Sequence, residues 1–260
     1  MLGIFDSGVG GLTVVKELLK RHPSAGFCYL GDTARAPYGN KSPEMLRRYA
    51  VEDAQFLVDK GATTILVACN SASSVAMEEL GAAFPNVRFF EVISPAIMAA
   101  ISKVASRKSQ KTIGVIGTRA TITSGIYERE ILRLATYNLQ VISQACPLFV
   151  PLVEENWIKK SETKRIVKTY LEPIRRAQVD ALILGCTHYP LLADVIRSSL
   201  QSRVKLIDSP SALIDVVEKE AADAIVEGTQ EYYFTDPSER TDAIASQWLG
   251  RAVKGLRAEV

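Results

Sequence analysis

Cysteine, histidine and tryptophan are scarce in this 260-residue chain, which carries four, two and two of them. Cys28, Cys69, Cys146 and Cys186 are too scattered in a chain of this size to form a disulfide framework, and they fit a reducing, cytoplasmic setting. Charge of one sign is lacking as well: 31 Lys and Arg stand against 29 Asp and Glu, a net +2. The basic pairs Arg47-Arg48, Lys159-Lys160 and Arg175-Arg176 are isolated, so the chain has no basic stripe of the kind nucleic acid requires. No apolar run approaches the roughly 18 residues of a membrane span. The opening Met1–Phe5 has neither a basic n-region nor a long apolar h-region, so no signal peptide is expected. These absences exclude a disulfide scaffold, a nucleic-acid binder and a membrane protein. What is present is an ordinary globular composition, 47% hydrophobic and 23% charged, with chain enough for one large domain or two small ones.

Short β-rich runs alternate with longer helical stretches. The spacing predicts strands over Leu2–Phe5, Phe27–Leu30, Thr64–Ala68, Phe89–Val92, Thr112–Ile116, Leu139–Ser143, Ala181–Leu184 and Val204–Ile207. Helices are predicted over Thr13–Arg21, Pro43–Lys60, Ser73–Ala83, Ser124–Ala135 and Thr163–Ala177. Strands apolar on both faces, separated by helices, indicate an α/β fold with mainly parallel sheets flanked by helices. Ligands then bind beyond the carboxyl ends of the strands. Those ends repeat: Ile65–Ser71 resembles Leu182–His188, 117 positions later, and Gly3–Ser7 resembles Gly114–Thr118, 111 positions later. The echo suggests two similar α/β domains with a cleft between them. Ser94-Pro95 and Ser209-Pro210 each follow a strand and suit a change of domain. The expected division is 1–93 plus 208–260 for the first domain and 94–207 for the second.

Cys69 and Cys186 each directly follow an apolar strand, at equivalent points of the two halves. A lone strand-end cysteine is most often a buried structural residue, the role assigned to Cys28 and Cys146. Two at matched positions can instead face one another across a cleft. Removing a proton from one face of a carbon and returning one to the other requires two bases on opposite sides. A thiol, with an ordinary pKa of about 8.5, can serve as either acid or base near neutrality. Asp6 and His188 are the groups near enough in sequence to assist. Asp6 opens the turn Asp6-Ser7-Gly8-Val9-Gly10-Gly11, where Thr13 takes the third glycine of a dinucleotide fingerprint, so the turn fits a small anion better than a dinucleotide.

The motifs resemble those of the glutamate racemases, within the aspartate/glutamate racemase superfamily. They are Ile4-Phe5-Asp6-Ser7-Gly8-Val9-Gly10-Gly11, Tyr29–Gly39, Ala68-Cys69-Asn70-Ser71-Ala72-Ser73, Gly114–Thr118 through Thr121, Pro151-Leu152-Val153-Glu154 and Gly185-Cys186-Thr187-His188-Tyr189-Pro190. They fall in the family's order and cover residues 4 to 190. The resemblance implies that Cys69 and Cys186 transfer the protons, with Cys69 acting on D-glutamate. Asp6 and His188 would assist them, and Glu154 would act on the Cys186 side. It further implies that Asp6, Ser7, Tyr38, Gly39, Asn70, Ser71, Thr187 and His188 hold the substrate, joined by Thr118 and Thr121. Backbone N–H groups around Tyr38-Gly39 could bind a carboxylate. No pyridoxal phosphate, other cofactor or metal is implied. The family's role is to supply D-glutamate for peptidoglycan, in the cytoplasm and often as a homodimer. One departure is Ser71, where the family usually has threonine.

Other readings stay open on the residues alone. A cysteine hydrolase using His188 with Cys186 or Cys69 would leave the second strand-end cysteine idle. A zinc site lacks ligand spacing at Cys186-Thr187-His188. An aspartate racemase differs by one methylene of substrate, and a small-ligand-binding protein of two lobes would need neither cysteine. Arg35 and Arg119, the arginines near these loops, are read as surface charge pairs.

Overall fold

A computed structural model of the chain describes residues 1–104, 111–135 and 138–260. Ten strands are formed among them: β1 (Leu2–Asp6), β2 (Phe27–Gly31), β3 (Thr64–Val67), β4 (Arg88–Glu91), β5 (Lys111–Gly117), β6 (Leu139–Ala145), β7 (Ala181–Gly185), β8 (Lys205–Asp208), β9 (Gln230–Phe234) and β10 (Leu256–Arg257). One sheet has the order β10-β9-β2-β1-β3-β4 and the other β6-β5-β7-β8. Every pairing in both sheets is parallel. β1, β2, β3, β5 and β7 are buried along their whole length, as expected of parallel strands covered by helices on both faces. All eight strands expected from the sequence are present, within one or two residues of the expected ends. β9 and β10 extend the first sheet beyond them.

The internal echo is carried into the strand register. In the first sheet Gly3 lies opposite Ile65 and Ile65 opposite Phe89. In the second, Gly114 lies opposite Leu182 and Leu182 opposite Leu206. β2-β1-β3-β4 and β6-β5-β7-β8 are thus the same four-strand order, and the residues that resemble one another in sequence occupy the same places. The ends of β3 and β7, where Cys69 and Cys186 follow, are equivalent.

Helix boundaries follow local chemistry. The helix Pro43–Asp59 starts on the Ser42 side chain, which accepts from the Met45 N–H, with Pro43 in the first turn. It stops at Gly61, whose φ of +88° allows the Gly61 and Ala62 N–H groups to close back on Val58 and Leu57. The expected helix Ser73–Ala83 is two helices, Asn70–Ser73 and Met77–Ala83. The expected helix Thr163–Ala177 is also two, Ser161–Tyr170 and Glu172–Arg176, because Pro173 cannot continue the first. The chain leaves the first sheet through the helix Ile93–Val104 and returns through Ser209–Glu220. These two helices carry the Ser-Pro pairs and pack on one another. An apolar core runs without a break from Leu2, Leu12 and Leu18 through Ile97 and Leu213 to Ile116 and Ile183. No helix of the described residues is long and apolar enough to cross a membrane.

Candidate active site

Between the carboxyl ends of β1 and β3 on one side and β5 and β7 on the other lies a cavity of about 750 Å³. Both Cys69 and Cys186 line it, and each is about 5% exposed or less. Each emerges from its strand into a tight helical turn, Asn70–Ser73 after Cys69 and Tyr189–Leu192 beyond His188. The glycines of the β1 loop explain how the halves meet here. A side-chain carbon on Gly10 would lie 2.2 Å from Thr187 Oγ1 and 2.5 Å from the His188 ring. One on Gly39 would lie 2.7 Å from Thr118 Cβ. At both places only glycine permits the approach. Thr13 fastens the first contact by donating to the Thr187 carbonyl at 3.0 Å.

The two sulfurs keep different company. Burial and the neighbouring charge of Asp6 push the Cys69 thiol up to about 12, against the opposing effect of hydrogen bonds from the Ala72 backbone and Ser7. Asp6 itself is fully buried; desolvation raises its carboxyl above the usual range although His188 and the N–H groups of Gly11 and Gly8 oppose it. Its Oδ1 accepts from Thr187 at 3.4 Å and its Oδ2 from the Gly8 N–H at 3.1 Å. Beside Cys186, His188 places Nδ1 3.9 Å from the sulfur and Nε2 2.9 Å from Glu154 Oε1. Burial alone would depress this imidazole, but its bonds to Cys186 and Glu154 outweigh burial and raise it to about 10. His188 is therefore an imidazolium near neutrality, aimed at one thiol and braced by a carboxylate.

Polar groups from both halves converge on the remaining wall. Ser71 Oγ lies 2.9 Å from Thr118 Oγ1 and 3.4 Å from Thr121 Oγ1, and the two threonine hydroxyls are 3.0 Å apart. Asn70 Oδ1 accepts from the Tyr127 hydroxyl at 2.7 Å. Its buried Nδ2 has no partner among the described residues, so it remains a donor for a bound acceptor.

Ten of the residues expected at the site line this cavity: Ser7, Gly39, Cys69, Asn70, Ser71, Thr118, Glu154, Cys186, Thr187 and His188. Asp6 and Thr121 stand one layer behind it. Tyr38 is also outside, its hydroxyl turned toward Asp32 and Asp53, and its neighbours Pro37 and Gly39 line the cavity in its place. Sequence reasoning missed Tyr127, which orients Asn70, and Trp248, whose ring meets His188 edge-on at 5.6 Å; neither stands in a motif that would have marked it. Arg35 is no surface pair: it is largely enclosed and bound to Asp32, Glu52 and Asp53. Arg119 lines the cavity and makes no ion pair among the described residues. Cys28 and Cys146 lie in the core, where burial pushes Cys28 up to about 12 and Cys146 upward as well. No group of three His, Cys, Asp or Glu among the described residues could hold a metal ion.

Comparisons with known proteins agree on one family. The family model described as Asp/Glu/Hydantoin racemase matches residues 15–217. A protein of Aquifex aeolicus named glutamate racemase is 46% identical over 258 residues, 97% of this chain and 95% of that protein. The crystal structure of glutamate racemase isoform RacE1 from Bacillus anthracis superposes with a TM-score of 0.90 at 33% identity, covering 100% of this chain and 97% of that one. The glutamate racemase of Francisella tularensis, solved in complex with D-glutamate, superposes with a TM-score of 0.87 at 31% identity, covering 99% and 97%.

Proposed function

The chain belongs to the Asp/Glu/Hydantoin racemase family and is an isomerase of the amino-acid racemase type, and from that premise we propose that it interconverts L- and D-glutamate through two thiols, Cys69 and Cys186, without a cofactor. The observation that carries the proposal is the meeting of the two cysteines in one cavity, at equivalent strand ends, with Asp6 near the first and His188 in contact with the second. In the direction from L to D, Cys186 takes the α-proton and Cys69 delivers one from the opposite face. The His188 imidazolium supplies the counter-charge while the Cys186 sulfur is negative. In the reverse direction Cys69 is the base, and Asp6, behind the β1 loop, is the group that accepts and returns its proton. Glu154 holds the imidazole charged and oriented.

Substrate binding uses short neutral donors: the hydroxyls of Ser7, Ser71, Thr118 and Thr187, the Asn70 amide and the backbone at Gly39, with Tyr38 and Thr121 supporting from behind. Ser71 keeps the hydroxyl that threonine would offer, and its contacts to Thr118 and Thr121 join the two halves. The domains are proposed as 1–93 with 208–260 and 94–207, in keeping with the division of strands between sheets. The product is proposed to feed peptidoglycan synthesis in the cytoplasm, with a homodimer as the assembly.

The test is circular dichroism or chiral chromatography of L- and D-glutamate incubated with metal-free, pyridoxal-free protein, with both aspartate enantiomers alongside. Convergence of glutamate from both directions on an equal mixture supports the proposal. Turnover of aspartate alone moves the substrate to the shorter acid, and turnover of neither returns the cavity to a binding role.

A further inference from the structure

A second charged cluster lies behind the wall formed by Ala36, Pro37, Gly39 and Asn40. Asp32, just beyond β2, and Asp53, midway along the helix Pro43–Asp59, are both completely buried. Tyr38 reaches between them, its hydroxyl 2.5 Å from Asp32 Oδ2 and 2.9 Å from Asp53 Oδ2. A phenol carries one proton, which cannot lie along two such short contacts at once. The second short contact therefore requires a proton on a carboxyl group.

The surroundings decide which one. Asp32 also accepts from Arg35 Nε at 2.5 Å and from the Thr235 hydroxyl at 2.9 Å. Besides its contact with Tyr38, Asp53 accepts from Arg35 Nη2, at 2.9 Å on Oδ1. Asp32 is met by more donors than Asp53, so the extra proton belongs on Asp53 Oδ2, offered to the Tyr38 oxygen. Arg35 must also serve Glu52, which it shares with Arg48, so a single enclosed guanidinium faces three carboxyl groups. Burial and the charge of Asp32 accordingly push Asp53 well above the usual carboxylate range.

We infer that Asp53 is a neutral carboxylic acid whose proton, donated to Tyr38, anchors the segment from Ala36 to Asn40 as a wall of the substrate cavity. Asp53 is thus a positioning residue, acting through Tyr38. The turn Tyr38–Asn40 has no side-chain cap of its own, so this anchor sets where Gly39 sits against Thr118. The inference rests on the cavity being the glutamate site proposed above.

Infrared difference spectroscopy of wild type against Asp53→Asn tests the protonation without any substrate, and the carbonyl stretch of a protonated carboxylic acid should vanish in the variant. Steady-state kinetics test the positioning. Asn offers the donor and acceptor of the neutral acid, so Asp53→Asn should hold KM for glutamate within about twofold, whereas Asp53→Leu should raise it about tenfold with a smaller change in kcat, the effect of one lost buried hydrogen bond. Absence of the infrared band overturns the inference, as does a rise in KM for Asp53→Asn as large as for Asp53→Leu. Failure of wild type to racemise glutamate would count against the proposed function, while the infrared band would still decide the state of Asp53.

Discussion

The unequal surroundings of the two thiols lead to separate expectations for single residues. Replacing Cys69 or Cys186 by Ser should lower racemisation roughly a thousandfold or more while leaving the fold intact, since a positioned acid–base group contributes on that scale; polarimetry with each enantiomer and a thermal melt check both halves of the statement. His188 titrates at about 10 in the fold against an ordinary 6.5. Stabilisation by its imidazolium is therefore full below about 6.5 and is lost as pH rises toward about 10. The melting difference between wild type and His188→Asn should shrink across that window. Glu154→Gln, which removes the bracing carboxylate at 2.9 Å, should move the alkaline limb of kcat/KM to lower pH. The meeting of Cys69, Cys186, His188 and Glu154 at one cavity was legible in the sequence, because their motifs could be read residue by residue. The direction of a side chain was not: Tyr38 lies in a recognised motif, yet two buried aspartates turn its hydroxyl away from the cavity.

Among the elements, the β1 loop and the turns after β3 and β7 are held by contacts too close for a side chain. Gly10→Ala should force the loop from Thr187 and His188. A displacement of about an ångström at a reacting group costs on the order of a hundredfold in rate, so kcat should fall by that much with little change in far-ultraviolet dichroism. Central strands such as Thr64–Val67 and Ala181–Gly185 were legible because they are continuous apolar runs. β9 was not: it opens with Gln230 and Glu231 and draws its strand character from pairing with β2. β10 is two exposed residues beside β9, with no pattern long enough to read. The helix Asn70–Ser73 begins three residues before its expected start because the Asn70 and Ala72 carbonyls accept from the Ser74, Val75 and Ala76 N–H groups and the Ser71 carbonyl accepts from the Ser74 hydroxyl, which closes the turn locally.

For the whole molecule, both cysteines belong to one chain's cleft, and an unbroken core joins the halves behind it. A mixture of Cys69→Ser and Cys186→Ser proteins, left to exchange subunits, should therefore recover no racemase activity; recovery in a chiral assay would mean that the site is shared between chains. The duplication was legible in two sequence offsets, whereas its strict preservation in strand pairing, Gly3–Ile65–Phe89 matching Gly114–Leu182–Leu206, required the fold. That doubling is imperfect at its centre, where one thiol sits by Asp6 and the other by His188 and Glu154. Mirror-image substrates have equal free energies in water, so the Haldane relation makes kcat/KM identical in the two directions however lopsided the catalyst. In the two-thiol scheme the asymmetry must surface elsewhere, in kcat and KM changing together and in the free protein left by each turnover. An enzyme that has just released D-glutamate holds its protons on the opposite side from the one that bound L-glutamate. Resetting that protonic memory is a step without substrate, and at high flux it can become the slowest one.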